Sequence, residues 1–238
     1  MKILLPTTES IPAGAPVIGF SGGGFFLSWI LGVAHGMKEL GVPYDRCVLS
    51  GASSGAAVAA LMLSGADLKE VRDWIIDCPV LVECFRSPTG ATLKARALLE
   101  SIFQRFIPQD MAMYNGKLYI LLCDQHHGLY FINTYKSRDD LIGALLATTH
   151  VPYFSDGSYA YTFRGRPHVD GQWRSSREGV LMCRKSAFKI LIDNNEDPWM
   201  HSDDKKEFYE VRDDVSSNEM NVLHMYSSSS PLTCSISS

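Results

Sequence analysis

Residues 49–57, Leu-Ser-Gly-Ala-Ser-Ser-Gly-Ala-Ala, decide the fold expected of this chain, and they contain the pattern Gly-x-Ser-x-Gly. Ser53 stands at the centre of the pattern, after an apolar run typical of a buried strand and before a run of small residues typical of a helix. A serine in the sharp turn between a strand and a helix needs neighbours without a Cβ atom, and Gly51 and Gly55 meet this need. The stretch therefore predicts a nucleophile elbow with Ser53 at its tip.

The sequence before the elbow predicts a strand and then a helix. Val17-Ile18-Gly19-Phe20 is typical of a short buried strand, and from Phe26 to Leu40 the apolar residues recur at helical spacing. A second strand then leads into Ser53, and a second helix follows it. This β-α-β-α order is typical of an α/β fold in which helices cover both faces of a parallel sheet.

Periodicity and turn chemistry predict the elements of the rest of the chain. The predicted helices are 67–77, 92–106, 141–149 and 203–215, and the predicted strands are 117–123, 129–132 and 188–192. A hairpin is predicted from 159–163 and 166–169, and Ser137 is the expected N-cap of the helix before it.

Composition and charge exclude several classes of protein. The 238 residues carry a net charge of −4 without a prominent basic block, so no nucleic-acid partner is expected. Six cysteines form no Cys-x-x-Cys pair, which predicts reduced thiols in a cytoplasmic protein. The apolar run at the start of the sequence is too short for the apolar region of a signal peptide. The longest apolar stretch, 25–34, is about half the length of a membrane span. Any contact with a membrane is therefore expected to be peripheral.

Three consecutive glycines, Gly22, Gly23 and Gly24, stand between the first strand and the first helix. Such a loop brings the backbone close to another group, and its N–H groups can form an anion-binding nest. A nucleotide P-loop is excluded because no Gly-Lys-Ser/Thr follows, and Leu27 stands where a dinucleotide fingerprint needs its third glycine. An oxyanion hole fits better, because a candidate nucleophile follows about thirty residues later.

A serine hydroxyl needs a partner that accepts its proton, and the residues alone leave two choices open. His201 and His224 follow Asp170, so a Ser-Asp-His order is formally present. Asp170 itself is the other choice, because it ends a predicted strand at a rim where functional carboxylates gather. His168 lies two residues before Asp170 on the same predicted strand, so it is a candidate auxiliary base, and a surface or substrate-contacting imidazole is the alternative. His126-His127 is expected to be a loop pair because no further ligand lies at metal-binding spacing.

Three separated stretches, 22–25, 51–55 and 170–171, resemble the patatin-like phospholipase family. They read Gly-Gly-Gly-Phe, Gly-Ala-Ser-Ser-Gly and Asp-Gly. Their order and spacing are similar to those of the family's oxyanion loop, elbow serine and Asp-Gly motif. Residues 20–33 are similar to the branch that contains adipose triglyceride lipase and adiponutrin. The resemblance covers roughly 15–195, and it depends on the three motifs together.

The resemblance implies a three-layer α/β/α patatin-like sandwich with a mostly parallel central sheet. It implies a lipase or phospholipase A type of hydrolase that cleaves carboxylic esters of glycerolipids or phospholipids through an acyl-enzyme. Carried over by position, Ser53 is the nucleophile, Asp170 is the base of a Ser-Asp dyad, and Gly22, Gly23 and Gly24 form the oxyanion hole. No cofactor or metal is implied. The expected partners are a lipid ester and, peripherally, a membrane or lipid-droplet surface.

Two positions depart from the family's pattern. Phe26 stands where many members have arginine, and in the lipase branch this position is likewise not basic. Gln172 stands where the family usually has glycine or alanine. A larger side chain beside Asp170 is expected to narrow the pocket or to reorient the base. Gln172 therefore keeps open a second function, a lipid-binding module with an impaired site. The histidines keep open a third, an esterase that uses His201 or His224.

The expected organisation has three parts. A patatin-like acyl hydrolase domain covers 15–195, a helical extension covers 196–215, and a disordered Ser-rich tail covers 216–238. Phe25, Phe26 and Trp29 are expected to belong either to the core or to an acyl channel beside the glycine loop.

Overall fold

The computed structural model describes residues 16–79 and 94–175, and the strands 189–192, 222–225 and 234–237. The strands are β1 (Val17–Phe20), β2 (Val48–Gly51), β3 (Leu118–Asp124), β4 (Gly128–Ile132), β5 (Tyr161–Phe163), β6 (Arg166–Val169), β7 (Lys189–Ile192), β8 (Val222–Met225) and β9 (Cys234–Ser237). The α-helices are α1 (Leu27–Glu39), α2 (Ser53–Leu63), α3 (Leu68–Asp77), α4 (Ala95–Phe106) and α5 (Arg138–Thr148). Short 3-10 turns precede α1 (Gly24–Phe26) and β2 (Tyr44–Arg46).

The described strands form one sheet with a parallel centre. β3, β2, β1, β7 and β8 are neighbours in that order, and each of these pairings is parallel. The margins are antiparallel, because β9 pairs with β8, β4 and β6 pair with β3, and β5 pairs with β6. Parallel neighbours need long crossover connections, and α1 supplies one between β1 and β2. The predicted α/β class with a mostly parallel central sheet is confirmed.

The central strands are buried on both faces, as a parallel sheet requires. Every residue of β1, β2 and β3 is buried. Ile120 and Leu122 belong to the main core with α2 and α5, whereas Leu121 points to the opposite face and packs with Ala52. Because both faces are covered, the sheet is the middle layer of the fold.

Helix α2 occupies the centre of the layer that covers one face. Its small residues let it pack against β1, β2 and β3, while α1 and α5 lie beside it. A helix that is apolar all round is expected to be enclosed in this way. The N-cap predicted for α5 is confirmed, since the Ser137 side chain accepts a hydrogen bond from the Asp140 N–H. No helix in the described part of the chain is long and apolar enough to span a bilayer.

Two strands lie within the segment that was expected to be a disordered tail. Residues 222–225 form β8 beside β7, and residues 234–237 form β9 beside β8. The expectation of disorder is therefore wrong at these residues. The edge of β7 that faces away from β1 offers backbone N–H and C=O groups, and residues 222–225 pair with them. The serine-rich residues on either side of these short strands make a strand pattern hard to recognise in the sequence. The helix predicted at 203–215 and the extension at 196–215 lie outside the described residues.

Candidate active site

The fold brings the ends of β2 and β6 together on one edge of β3. Ile120 of β3 pairs with both β2 and β4, and Cys123 pairs with both β4 and β6. β2 and β6 therefore share the edge of β3 that lies opposite β4. They run towards each other, because β2 is parallel and β6 is antiparallel to β3. The residues that follow these strands meet as a result, Ser53 after β2 and Asp170 after β6.

The turn at Ser53 has the strained geometry that its sequence predicts. Ser53 has a φ of 52°, in the left-handed region that residues other than glycine seldom adopt. A Cβ atom on Gly51 would lie 2.6 Å from the Ala56 nitrogen, and one on Gly55 would lie 2.2 Å from the Phe20 carbonyl oxygen. Both glycines of the pattern are thus required by space, since a side chain on Gly51 would collide with the start of α2 and one on Gly55 would collide with the end of β1.

We expect Gly55→Ala to cost more than about 4 kcal/mol of the free energy of unfolding, because backbone atoms of β1 must move to admit the methyl group. Gly32→Ala is the matched control, since a Cβ there meets no atom within 4 Å. In helix α1 this change is expected to raise the free energy of unfolding by about 1 kcal/mol. Urea denaturation followed by circular dichroism measures both values. Similar small effects at both positions would contradict the close packing of the elbow.

Ser53 and Asp170 form a buried hydrogen-bonded pair. The Ser53 hydroxyl donates to Oδ2 of Asp170 at 2.6 Å, and the Gln172 N–H donates to Oδ1 at 2.8 Å. The backbone at Asp170 is also fixed, because its N–H donates to the His150 carbonyl oxygen at 2.7 Å. Burial raises the pKa of Asp170 from 3.8 to about 6, although both hydrogen bonds favour the ionised form. The carboxylate is therefore a stronger base than an exposed aspartate.

The raised pKa of Asp170 predicts a pH dependence. Only the ionised carboxylate can accept the serine proton, so kcat/KM for a soluble ester is expected to rise with pH around a midpoint of about 6. The measurement is an ester hydrolysis profile from about pH 4 to 8.5, with Tm recorded at each pH. A midpoint near 4, the ordinary value for a carboxyl group, would contradict the effect of burial.

Thr148 is a site residue that the sequence reasoning missed. Its hydroxyl accepts the Ser53 N–H at 3.0 Å and donates to the Leu121 carbonyl oxygen at 2.7 Å. The Gly171 N–H donates to the Thr148 carbonyl oxygen at 2.9 Å. A Cβ on Gly171 would lie 2.5 Å from the Thr148 hydroxyl, which explains the glycine after Asp170. Thr148 thus joins the two loops of the pair. It lies in residues 147–154, which also resemble the family's segment before the Asp-Gly motif, but that resemblance did not assign it a role.

The glycine loop differs from an oxyanion hole with three free donors. The Gly22 N–H donates to Oε1 of Gln172 at 3.1 Å, and the Gly23 N–H donates to the Ser54 hydroxyl at 2.8 Å. Gly24 has a φ of 53° and lines a cavity together with Ser53. The loop lies beside Ser53 as predicted, but two of its N–H groups already have side-chain acceptors.

The histidine near Asp170 is committed to other contacts. His168 Nδ1 donates to the Arg166 carbonyl oxygen at 2.9 Å, so its Nε2 accepts from the Tyr130 hydroxyl at 2.7 Å. Burial lowers the pKa of His168, which keeps the ring neutral. Both ring nitrogens are therefore occupied away from Ser53, and His168 does not act as an auxiliary base in this arrangement.

The remaining histidine candidates lie elsewhere. The N–H groups of His126 and His127 donate to Oδ1 of Asp124 in the turn between β3 and β4. His224 lies on β8, which β1 and β7 separate from β2, and His201 lies outside the described residues. No group of three or more His, Cys, Asp or Glu side chains that could hold a metal ion occurs among the described residues.

An apolar cavity of about 170 Å³ opens beside Ser53. Its lining includes Phe25, Leu27, Ile75, Ile76, Leu98, Leu99, Val151 and Phe154. Phe25 and Ile76 are about half exposed, so the cavity reaches the surface between them. Of the three aromatic residues considered for an acyl channel, Phe25 lines the cavity, Trp29 packs against the core and Phe26 is exposed.

Sequence comparison identifies relatives of this chain. It is 26% identical to the omega-hydroxyceramide transacylase of Mus musculus over 163 residues, which are 66% of this chain and 27% of that protein. It is also 26% identical to patatin-like phospholipase domain-containing protein 2 of Mus musculus over 215 residues, which are 88% of this chain and 43% of that protein. The chain thus spans less than half the length of the curated relatives it matches. No family model matches it.

One solved structure and a further sequence relative are also similar to this chain. VipD from Legionella pneumophila is similar with a TM-score of 0.49 and 13% identity, over 91% of this chain and 63% of that chain. Patatin-like phospholipase domain-containing protein 2 of Rattus norvegicus matches with 26% identity over 215 residues. These sequence matches confirm the resemblance of the chain to the patatin-like phospholipase family.

Proposed function

We propose that this chain is a serine acyl hydrolase that cleaves carboxylic esters of glycerolipids or phospholipids through an acyl-enzyme. The observation that carries the proposal is the 2.6 Å hydrogen bond from the Ser53 hydroxyl to the buried carboxylate of Asp170. A hydroxyl in this position can transfer its proton as it attacks a carbonyl carbon. The match to patatin-like phospholipase domain-containing protein 2 supports a lipid as the substrate.

The first half of the reaction forms the acyl-enzyme. Ser53 Oγ attacks the ester carbonyl carbon, its proton passes to Asp170, and the carbonyl oxygen becomes an oxyanion. Asp170 then gives the proton to the leaving alcohol as the carbon–oxygen bond breaks. Water attacks the acyl-enzyme in the second half, and Asp170 accepts its proton and returns it to Ser53.

The oxyanion is proposed to bind at the glycine loop and at the start of α2. N–H groups of Gly22, Gly23 and Gly24 are the donors expected there, and those of Gly22 and Gly23 must first leave their acceptors on Gln172 and Ser54. Helix α2 also begins at Ser53 with the positive end of its dipole. One preorganised donor of this kind lowers a reaction barrier by roughly 3–4 kcal/mol. These donors therefore carry a large share of the proposed catalysis.

The apolar cavity is proposed to hold the acyl chain of the substrate. It starts at Ser53, where the carbonyl group must lie, and Leu98 and Phe154 belong to its apolar lining. Each methylene group that leaves water gains about 0.8 kcal/mol, so a longer acyl chain binds more tightly until the cavity is filled.

A lipid alcohol is the second candidate acceptor for the acyl group. The acyl-enzyme reacts with an alcohol by the same steps as with water, because both nucleophiles lose a proton to Asp170. The matches to omega-hydroxyceramide transacylases favour this candidate. An assay that contains an added lipid alcohol separates transfer from hydrolysis.

The substrate is proposed to enter from a lipid surface that contacts the exposed apolar side chains near the cavity. Phe25, Phe26 and Ile76 are 46%, 44% and 53% exposed. We expect Phe26→Ser to weaken cosedimentation with phosphatidylcholine vesicles several-fold, because burial of the exposed part of the phenyl ring contributes about 1 kcal/mol. Leu40→Ser is the control, since this exposed leucine caps the opposite end of α1. An equal loss in both variants would contradict the assignment of the surface.

Release of fatty acid from defined lipids tests the proposed function. Wild type and Ser53→Ala are incubated with triacylglycerol, monoacylglycerol, phospholipid and lysophospholipid, each with and without an added lipid alcohol. Product formed by the wild type alone supports the proposal. Loss of activity on replacement of His201 or His224, with Asp170→Asn still active, would establish the histidine esterase instead. Vesicle binding without product from any ester would favour a lipid-binding module.

A further inference from the structure

Gln172 connects the two loops that meet at Ser53. Its N–H donates to Oδ1 of Asp170, and its side-chain Oε1 accepts the Gly22 N–H at 3.1 Å. Its Nε2 donates to the Ser175 carbonyl oxygen at 3.0 Å, which fixes the orientation of the amide group. We call the hydrogen bond between the Gly22 N–H and the Gln172 amide oxygen the Gly22–Gln172 contact.

The Gly22–Gln172 contact lies directly against the candidate nucleophile. A Cβ atom on Gly22 would be 3.0 Å from the Ser53 Cβ and 3.2 Å from the Gln172 Cβ. Ser53 and Gln172 therefore both lie close to Gly22, on the side where a side chain would stand. A side chain that accepts the Gly22 N–H here competes for this donor with the carbonyl oxygen of an ester that Ser53 attacks.

The acceptor in this contact has the chemistry of a substrate. The oxygen of a primary amide is a neutral carbonyl oxygen, as is the oxygen of an ester before attack. Gln172 thus gives the Gly22 N–H the kind of partner that it would meet in a bound substrate. The N–H is not available to an oxyanion while this contact persists.

We propose that Gln172 restrains the enzyme by occupying an oxyanion donor, so that a substrate must displace its amide before the Gly22 N–H can stabilise the transition state. This inference rests on the proposed function of Ser53 and Asp170. The Gln172 side chain touches no reacting atom in this scheme and acts through Gly22, so Gln172 is a positioning residue. Its side chain is only partly buried, which leaves space on the solvent side for the displaced amide.

The size of the restraint follows from the contact that must break. Displacement removes one neutral hydrogen bond, whose net contribution corresponds to a factor of about three to ten in rate. Variants that cannot accept the Gly22 N–H are therefore expected to raise kcat by about three- to tenfold. KM is expected to change less than twofold, because the contact is broken on the way to the transition state.

Three substitutions separate the hydrogen bond from the space that Gln172 fills. Gln172→Met keeps the length of the side chain without a carbonyl acceptor, and Gln172→Ala removes both. Gln172→Glu keeps an acceptor for the Gly22 N–H and is assayed well above the pKa of Asp170. Each variant is measured with a soluble p-nitrophenyl ester, and circular dichroism and Tm establish that it is folded.

The inhibition constant of a transition-state analogue distinguishes the proposed role of Gln172 from a purely structural one. Ser53 Oγ adds to the carbonyl carbon of an alkyl trifluoromethyl ketone, its proton passes to Asp170, and the carbonyl oxygen becomes an oxyanion that needs the same donor. The inhibition constant of the ketone is expected to fall in Gln172→Met and Gln172→Ala by the factor by which kcat rises. Gln172→Glu is expected to remain at or below the wild-type rate.

The outcomes distinguish this inference from the proposed function. Wild-type turnover with faster Met and Ala variants and a slower or equal Glu variant supports the inference. An inactive wild type with active Met and Ala variants supports it more strongly. Wild-type turnover with Met and Ala variants that are no faster overturns the inference alone. Inactivity of all four proteins, with no reaction at Ser53, overturns both.

Discussion

Ser53→Ala is expected to lower kcat/KM for every ester substrate by about four orders of magnitude or more, because no other hydroxyl occupies the tip of the elbow. The loss should appear in kcat, since the apolar cavity remains intact. The free energy of unfolding is expected to fall by about 1–3 kcal/mol at neutral pH, because alanine leaves the buried Oδ2 of Asp170 without this hydrogen-bond donor. Fatty-acid release and urea denaturation measure the two quantities.

Ser64→Ala is the matched control for Ser53→Ala. Ser64 caps the opposite end of α2, where its hydroxyl donates to the Leu61 carbonyl oxygen at 2.7 Å. Its removal is expected to leave kcat unchanged. Activity that survives in Ser53→Ala would mean that another residue is the nucleophile.

Asp170→Asn is expected to remove activity and to stabilise the protein at the same time. An amide cannot accept the Ser53 proton, so kcat should fall by about three orders of magnitude or more. The amide has nearly the shape of the carboxyl group and carries no charge, so it avoids the burial of a carboxylate that the wild type bears at neutral pH. A gain in stability with a loss of rate is typical of a catalytic group held in an unfavourable environment.

The size of the stability gain depends on pH. Because the pKa of Asp170 rises from 3.8 to about 6 on folding, the folded state favours the protonated form. The stability linked to that proton is complete below the unfolded pKa and is lost as pH rises through the folded pKa. At about pH 8 the full difference corresponds to about 3 kcal/mol. Asp170→Asn should recover up to this amount at pH 8 and little at pH 4, as measured by urea denaturation.

A stability gain of equal size at both pH values would contradict this explanation, since it would not depend on ionisation. Glu100→Gln serves as a control for the loss of a carboxylate. Glu100 lies on α4, away from the Ser53–Asp170 pair, and is expected to show no comparable rise in stability with pH.

The elbow could be predicted from the sequence because its constraints are local. A strained serine between a strand and a helix needs glycine two residues to either side, and Gly51 and Gly55 are visible in the pattern. Helices α1 to α5 and strands β1 to β7 followed from periodicity for the same reason, and the structure places them within a few residues of their expected bounds.

The partner of Ser53 could not be chosen from the residues alone, because its proximity depends on strand pairing. Asp170 reaches Ser53 only because β2 and β6 share one edge of β3 and approach each other. No local pattern encodes which strands share an edge. The resemblance to a family supplied the choice of Asp170 in the sequence analysis, and the structure then brought the two side chains within hydrogen-bonding distance.

The contacts of Thr148 and Gln172 were hidden for a related reason. Thr148 bonds the Ser53 N–H across 95 positions of the chain, and Gln172 bonds the Gly22 N–H across 150. Gln172 stood out in the sequence by its size, but the direction of its amide follows from the fold. Strands β8 and β9 were missed because their partners, rather than their own composition, determine that they pair.

Identification of the residue that carries the acyl group tests the central proposal most directly. The wild type is mixed with a p-nitrophenyl ester, quenched in acid during turnover, digested and analysed by peptide mass spectrometry. We expect an added acyl mass on the peptide that contains Ser53, no such adduct in Ser53→Ala, and much slower formation in Asp170→Asn. An adduct on a different residue, or turnover without any adduct on Ser53, would contradict the assignment of Ser53 as the nucleophile.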